Sequence, residues 1–153
     1  MNRHWLLALL CLFPLLLAAC TTSKSRAPNT DPSMSENKRT IERYMEGFRQ
    51  SNHAMVLSCL TDDVEWVIPG MFHATGKAAF DKEIENDAFV GRPIITISQL
   101  IEENDVVVAE GSVRATKRAG GDLNLVFCDV FTMRAGEVRR LVSYLTEVKA
   151  PAP

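Results

Sequence analysis

Residues 123–148, LNLVFCDVFTMRAGEVRRLVSYLTEV, decide how this chain is read. Two strand-like runs flank a tight polar turn, Arg134-Ala135-Gly136-Glu137. A single carboxylate, Asp129, stands in the first run with Phe127 and Phe131 two residues to either side. Side chains alternate along a strand with a period of two, so these three share one face. An acid between two aromatics is either solvated on a sheet exterior or buried where it has a task.

Upstream, two more strand-like runs surround Glu102-Glu103-Asn104-Asp105, residues 94–101 and 106–116, with a second turn at Arg118-Ala119-Gly120-Gly121-Asp122. The stretch before them reads as helix. Ser33-Met34-Ser35-Glu36 has capping-box spacing, and Ile41, Tyr44, Met45 and Phe48 fall on one apolar stripe. A short second helix is expected over residues 53–60, a strand over 64–68 stopped by Pro69-Gly70, a loop over 71–75 and a third helix over 77–87. Three N-terminal helices set against an antiparallel sheet make an α+β architecture, in one domain spanning residues 33–149.

The N-terminus reads differently. Arg3 and His4 precede an apolar run too short for a comfortable membrane span, which ends in Leu17-Ala18-Ala19-Cys20. That tetrapeptide resembles a bacterial lipobox, with residues 1–19 as the signal and Cys20 as the lipidated residue. Thr21 after the Cys implies the outer membrane, periplasmic side, if the cell is Gram-negative. Residues 20–32 are rich in Ser, Thr and Pro and read as a flexible tether. Residues 150–153 read as a disordered tail. The expected location is therefore the cell envelope, with the membrane as partner through Cys20. Cys59 and Cys128 are expected as free, mostly buried thiols.

Composition narrows the function. The chain of 153 residues has a formal net charge of −2 and no basic run, which argues against nucleic acid. Its two histidines and two thiols in the mature part lack metal-ligand spacing. There is no glycine-rich phosphate loop and no Ser/His/Asp arrangement, and no cofactor is expected.

Three phrases, IERYMEGF in the first helix, TDDVEWVIPG into the first strand and FCDVFTMRAGEVRRLVSYL at the end, together resemble the nuclear transport factor 2-like superfamily. The nearest branch is SnoaL-like and ketosteroid-isomerase-like. The resemblance implies a cone, with a mostly apolar pocket between sheet and helices. It turns the Phe127/Asp129/Phe131 face into that pocket and Cys128 and Val130 to the outer face, where a homodimer can form. Ketosteroid isomerases use a Tyr on the first helix, an Asp on the penultimate strand and an Asp base after the first strand. Tyr44 and Asp129 match the first two, whereas Ile68 stands in the base position.

The chemistry implied is a neutral carboxylic acid and a Tyr hydroxyl donating to an enolate oxygen. Tyrosines in a core stripe are ordinarily amphipathic packing residues, so Tyr44 taken alone reads as core. An Asp inside a strand is harder to dismiss, since burial without a partner is costly. The candidate catalytic set is Asp129 and Tyr44, with His73 a weak third near the pocket mouth. Trp66, Ile68, Phe48, Phe72, Phe127 and Phe131 are expected to shape the pocket. The leading reading is a membrane-tethered domain that binds a small, mostly apolar molecule. An isomerase- or cyclase-type enzyme using Asp129 with Tyr44 is the alternative, and a structural envelope protein the third.

Overall fold

The structure, a computed structural model, describes residues 34–149. The signal, tether, Ser33 and tail of the sequence reading lie outside them.

Helix α1 (Glu36–Arg49) is capped by Ser35, whose hydroxyl accepts the Lys38 N–H at 3.1 Å. The cap thus lies two residues beyond the Ser33 of the expected capping box. Ile41, Tyr44 and Met45 are buried on the inner stripe, with Phe48 packed beside them. Gly47 lets the second helix approach, because a Cβ there would stand 2.7 Å from Val56.

Helix α2 (His53–Leu57) is shorter than its sequence pattern suggests. The chain leaves it early because Leu60 pairs with Val138 and the Val138 N–H donates to the Cys59 carbonyl at 2.8 Å. Strand β1 (Leu60–Ile68) therefore begins four residues before the expected start, and a bulge between Leu60 and Glu65 absorbs Thr61-Asp62-Asp63. Residues 72–75 are not a loop. They form strand β2 (Phe72–Thr75), which folds back on β1 with Ile68 opposite Phe72.

Helix α3 (Lys77–Asp81) ends early as well. Beyond it the backbone tightens into three-residue turns, with the Glu83 N–H on the Phe80 carbonyl and the Ile84 N–H on that of Asp81. The remaining strands are β3 (Phe89–Glu103), β4 (Val106–Lys117), β5 (Asp122–Arg134) and β6 (Glu137–Glu147). Pro93 is tolerated in β3 because β3 is an edge strand and the proline falls at a bulge between Val90 and Ile94.

The strands form one curved sheet in the order β2-β1-β6-β5-β4-β3. One pair departs from the antiparallel expectation: β1 runs parallel to β6, so the sheet is mixed. Helix α1 lies across β3 and β4, and α3 lies against β1 and β2. The core between them is sealed by Ile41, Val64, Phe80, Val107, Phe131 and Leu141. The β5–β6 turn is a two-residue hairpin in which Ala135 and Gly136 both have positive φ, 52° and 80°, as a type I′ turn requires. Thr40 on α1 donates to the Gly136 carbonyl at 2.8 Å and ties this turn to the helix.

Candidate functional site

Between α1 and the concave face of the sheet is a cavity of about 150 Å³, lined by Tyr44, Met45, Phe48, Trp66, Ile95, Val113, Leu125, Phe127, Asp129, Ser143 and Leu145. Strand alternation supplies most of it. Phe127 and Asp129 point inward from β5, and Ser143 and Leu145 stand opposite them on β6. Gly111, opposite Phe127 on β4, leaves room for the ring, since a Cβ there would lie 2.6 Å from it.

The aromatic wall is built ring against ring. Trp66 stacks on Phe80 with centroids 4.8 Å apart and meets Phe72 edge-on at 5.3 Å. Tyr44 packs against Phe48 at 5.0 Å and against Phe131 at 5.4 Å. Phe131 and Phe72 thus support the lining from behind, and Ile68 does not reach the cavity. Ile68 stays at the β1 end beside Phe72, half-buried.

His73 is not in a loop at the pocket mouth. It lies in β2 opposite Val67, hence on the face away from Trp66 and Ala74, and is exposed. The described histidine that makes close polar contacts is His53 at the start of α2, whose Nδ1 lies 2.6 Å from Asp81 on α3. That Asp81 hydrogen bond raises its pKa.

Asp129 is 9% exposed, and its Oδ1 is buried without a hydrogen-bond partner. Burial lifts its carboxyl from the ordinary 3.8 to about 6, and the Ser143 hydroxyl across the ladder opposes the rise by stabilising the charged form. Tyr44 is 3% exposed, and burial, with Asp129 and Cys59 adding to it, pushes its hydroxyl well above the usual range. Tyr44 therefore remains a protonated hydroxyl at any ordinary pH. No hydrogen bond joins Tyr44 to Asp129 among the described residues. Instead the Trp66 Nε1–H donates to Ser143 Oγ at 3.1 Å.

The cavity thus carries a phenol, a carboxyl and a serine hydroxyl within apolar walls. A hydrogen-bonding group of a ligand could be oriented here, and Asp129 titrates near the range useful for proton transfer. Among the described residues no cluster of three or more His, Cys, Asp or Glu could hold a metal. Cys59 is buried and Cys128 half-buried on the outer face, both as free thiols. Sequence reasoning did not single out Ser143, Ile95, Val113, Leu125 or Leu145, and it placed Met45 on the core stripe of α1 without assigning it to the cavity. Alternation along β5 is the signal that could have found Leu125, which shares a face with Phe127 and Asp129.

Comparison with known proteins agrees with this fold. TerC, crystallised with polyporic acid, is 27% identical, with a TM-score of 0.67 over 73% of this chain and 92% of that one. A nuclear transport factor 2-like protein of unknown function from Burkholderia pseudomallei is 22% identical, with a TM-score of 0.66 over 74% of this chain and 92% of that one. A ketosteroid isomerase candidate from Kribbella flavida is 20% identical, with a TM-score of 0.62 over 77% and 83%. A search of curated proteins gave no match. The SnoaL-like domain family matches residues 41–141, from the inner stripe of α1 to the middle of β6. The chain belongs to the SnoaL-like domain family.

Proposed function

We propose that this domain binds a small, mostly apolar ligand in the cavity under its sheet, and that Asp129 orients it. The observation that carries the reading is the buried Asp129 Oδ1 without a partner inside the cavity lining. A buried polar atom left unpaired costs roughly 1–3 kcal/mol, and a ligand's polar group removes that cost. That TerC was crystallised with polyporic acid supports a ligand-holding role for the fold. Native mass spectrometry of protein purified from its own host tests the reading. A co-purified small molecule, lost in Asp129→Asn, is the expected result. Preparations that are always empty, with no small apolar compound able to bind, would overturn it.

The second reading is an isomerase- or cyclase-type reaction with Asp129 as the proton-transfer group and Tyr44 as donor to the developing oxyanion. The Asp129 pKa of about 6 favours it. Against it, Ile68 stands in the position of the isomerase base, and the cavity lining includes no titratable group besides Tyr44 and Asp129. His73 is the weakest member of this set, because its side of β2 is turned away.

We place the domain on the envelope side of a bacterial membrane, tethered through lipidated Cys20 at the end of LAAC. Among the described residues no helix is long and apolar enough to cross a membrane. We also propose that a second copy covers the outer sheet face. Val67, Val130, Val108 and Ile101 are aligned there across the sheet, with Val142, itself already buried, completing the row on β6. A two-fold interface needs a self-complementary patch, and such a row supplies one. A monomeric mass at micromolar concentration would rule the dimer out and favour a different envelope partner.

A further inference from the structure

The Trp66–Ser143 hydrogen bond constrains Asp129 as well as Trp66. An indole N–H donates and cannot accept, so the Ser143 oxygen is the acceptor in this 3.1 Å contact. A serine hydroxyl owns one hydrogen, which remains for another acceptor. Directly across the ladder stands Asp129, whose charged form that hydroxyl stabilises. Ser143 is 3% exposed, and the bond from Trp66 is its one side-chain hydrogen bond among the described residues, which leaves its own hydrogen free to turn toward Asp129. With one side of the carboxylate facing Ser143, Oδ1 remains as the buried atom without a partner.

We infer that Ser143 is a positioning residue: held by Trp66, it takes one side of the Asp129 carboxylate and leaves Oδ1 as the acceptor for a hydroxyl-bearing, otherwise apolar ligand. This rests on the cavity reading above and names the ligand class for it. About 150 Å³ gives room for a single ring within the lining. Larger substituents can extend past Leu145, which is 39% exposed. Polarity selects a hydroxyl. An ionised carboxylate only accepts, and a ligand O–H gives it a charge-assisted bond. The same ligand oxygen can accept from Tyr44. A bare carbonyl brings no hydrogen to Oδ1.

The titratable group facing Asp129 is Tyr44 on α1; β4 and β6 present Ala109 and Ser143, and β1 presents Trp66. Asp129 is ionised above about pH 6, so preference for a hydroxyl is expected above that value and should fade below it.

Phenol and toluene, titrated by calorimetry into the intact domain, test this. At pH 8 phenol should bind at least about tenfold more tightly than toluene. Ser143→Ala should erase most of that preference and move its pH midpoint upward, while Ser143→Thr, which keeps a hydroxyl, restores both. Trp66→Phe keeps an aromatic ring but removes the N–H donor, and should lower the preference several-fold. A folded Ser143→Ala or Trp66→Phe with unchanged preference and midpoint overturns the inference and leaves the cavity reading standing. Equal binding of both probes by the wild type also overturns it. If neither probe binds the wild type, the inference is overturned, and the cavity reading falls with it only when no other small apolar compound binds either.

Discussion

Neighbouring residues of β5 carry opposite anomalies on the two faces of one sheet. Inside, between Phe127 at 6% exposure and Phe131 at 0%, sits the carboxylate of Asp129. Outside, Val126 is 45% exposed, Tyr144 on β6 is 55% exposed, and Ile94 and Ile101 on the edge strand β3 are 54% and 47% exposed. The usual arrangement, apolar inside and polar outside, is reversed at one inner position and along an outer strip. Neither reversal helps the chain fold. A buried unpaired carboxylate costs free energy, and exposed valine and isoleucine forgo hydrophobic gain. The inner reversal is local and chemical, suited to a small molecule, whereas the outer is broad and apolar, suited to a protein surface.

The sharpest way to break the inner face is to remove its support. Phe131 is fully buried, packs on Tyr44 and stands behind the cavity. Phe131→Ala should destabilise the domain by about 3–5 kcal/mol, through lost burial and the cavity it leaves. Denaturant unfolding measures this. A cost near that of a surface substitution would show that the inner face is not the core described here.

Asp129→Asn sharpens the comparison with nearly constant shape. The folded-state pKa of Asp129 is raised, so the fold favours its protonated form. That contribution is fully present below the ordinary value of 3.8 and is lost as pH rises through about 6. At about 1.4 kcal/mol per pKa unit, the difference amounts to roughly 3 kcal/mol. Asp129→Asn should therefore be more stable than wild type at pH 8 by up to about 3 kcal/mol, and equal to it below pH 4. Melting curves across that range give the answer, and a gain independent of pH would contradict the buried-acid assignment.

The two faces were not equally legible in the sequence. Period-two alternation around Asp129 and the tight polar turn Arg134-Ala135-Gly136-Glu137 made the closing hairpin readable, as the apolar stripe did for α1. Phe72–Thr75 is too short to display alternation, so β2 read as loop, and with it the direction of His73 was lost. Ser143 was hidden for a subtler reason. Counting outward from Arg134 opposite Glu137, a regular hairpin would set Val142 against Asp129. A bulge between Thr132 and Met133 on the β5–β6 ladder accommodates Arg139 as an extra residue and brings Ser143 across instead. Local propensity carries no mark of that bulge. The partner of the key acid thus depends on one inserted residue, which also fixes the face on which Ser143 lies.

The smallest expected change in stability belongs to the outer face, where it separates surface function from folding. Ile101 lies on the edge strand β3, 47% exposed, at the end of the apolar row through Val108, Val130 and Val142. A lysine there keeps a long aliphatic stem over its neighbours and puts its charge in water, as edge strands commonly do. Ile101→Lys should change the stability of the isolated domain by no more than about 0.5 kcal/mol. The same charge buried between two copies would lack a partner and oppose association. Light scattering coupled to gel filtration should then show a dimer for wild type and a monomer for Ile101→Lys, with phenol binding unchanged. If Ile101→Lys lost the ligand along with the dimer, the two faces would be coupled, and the division of labour across β5 would have to be given up.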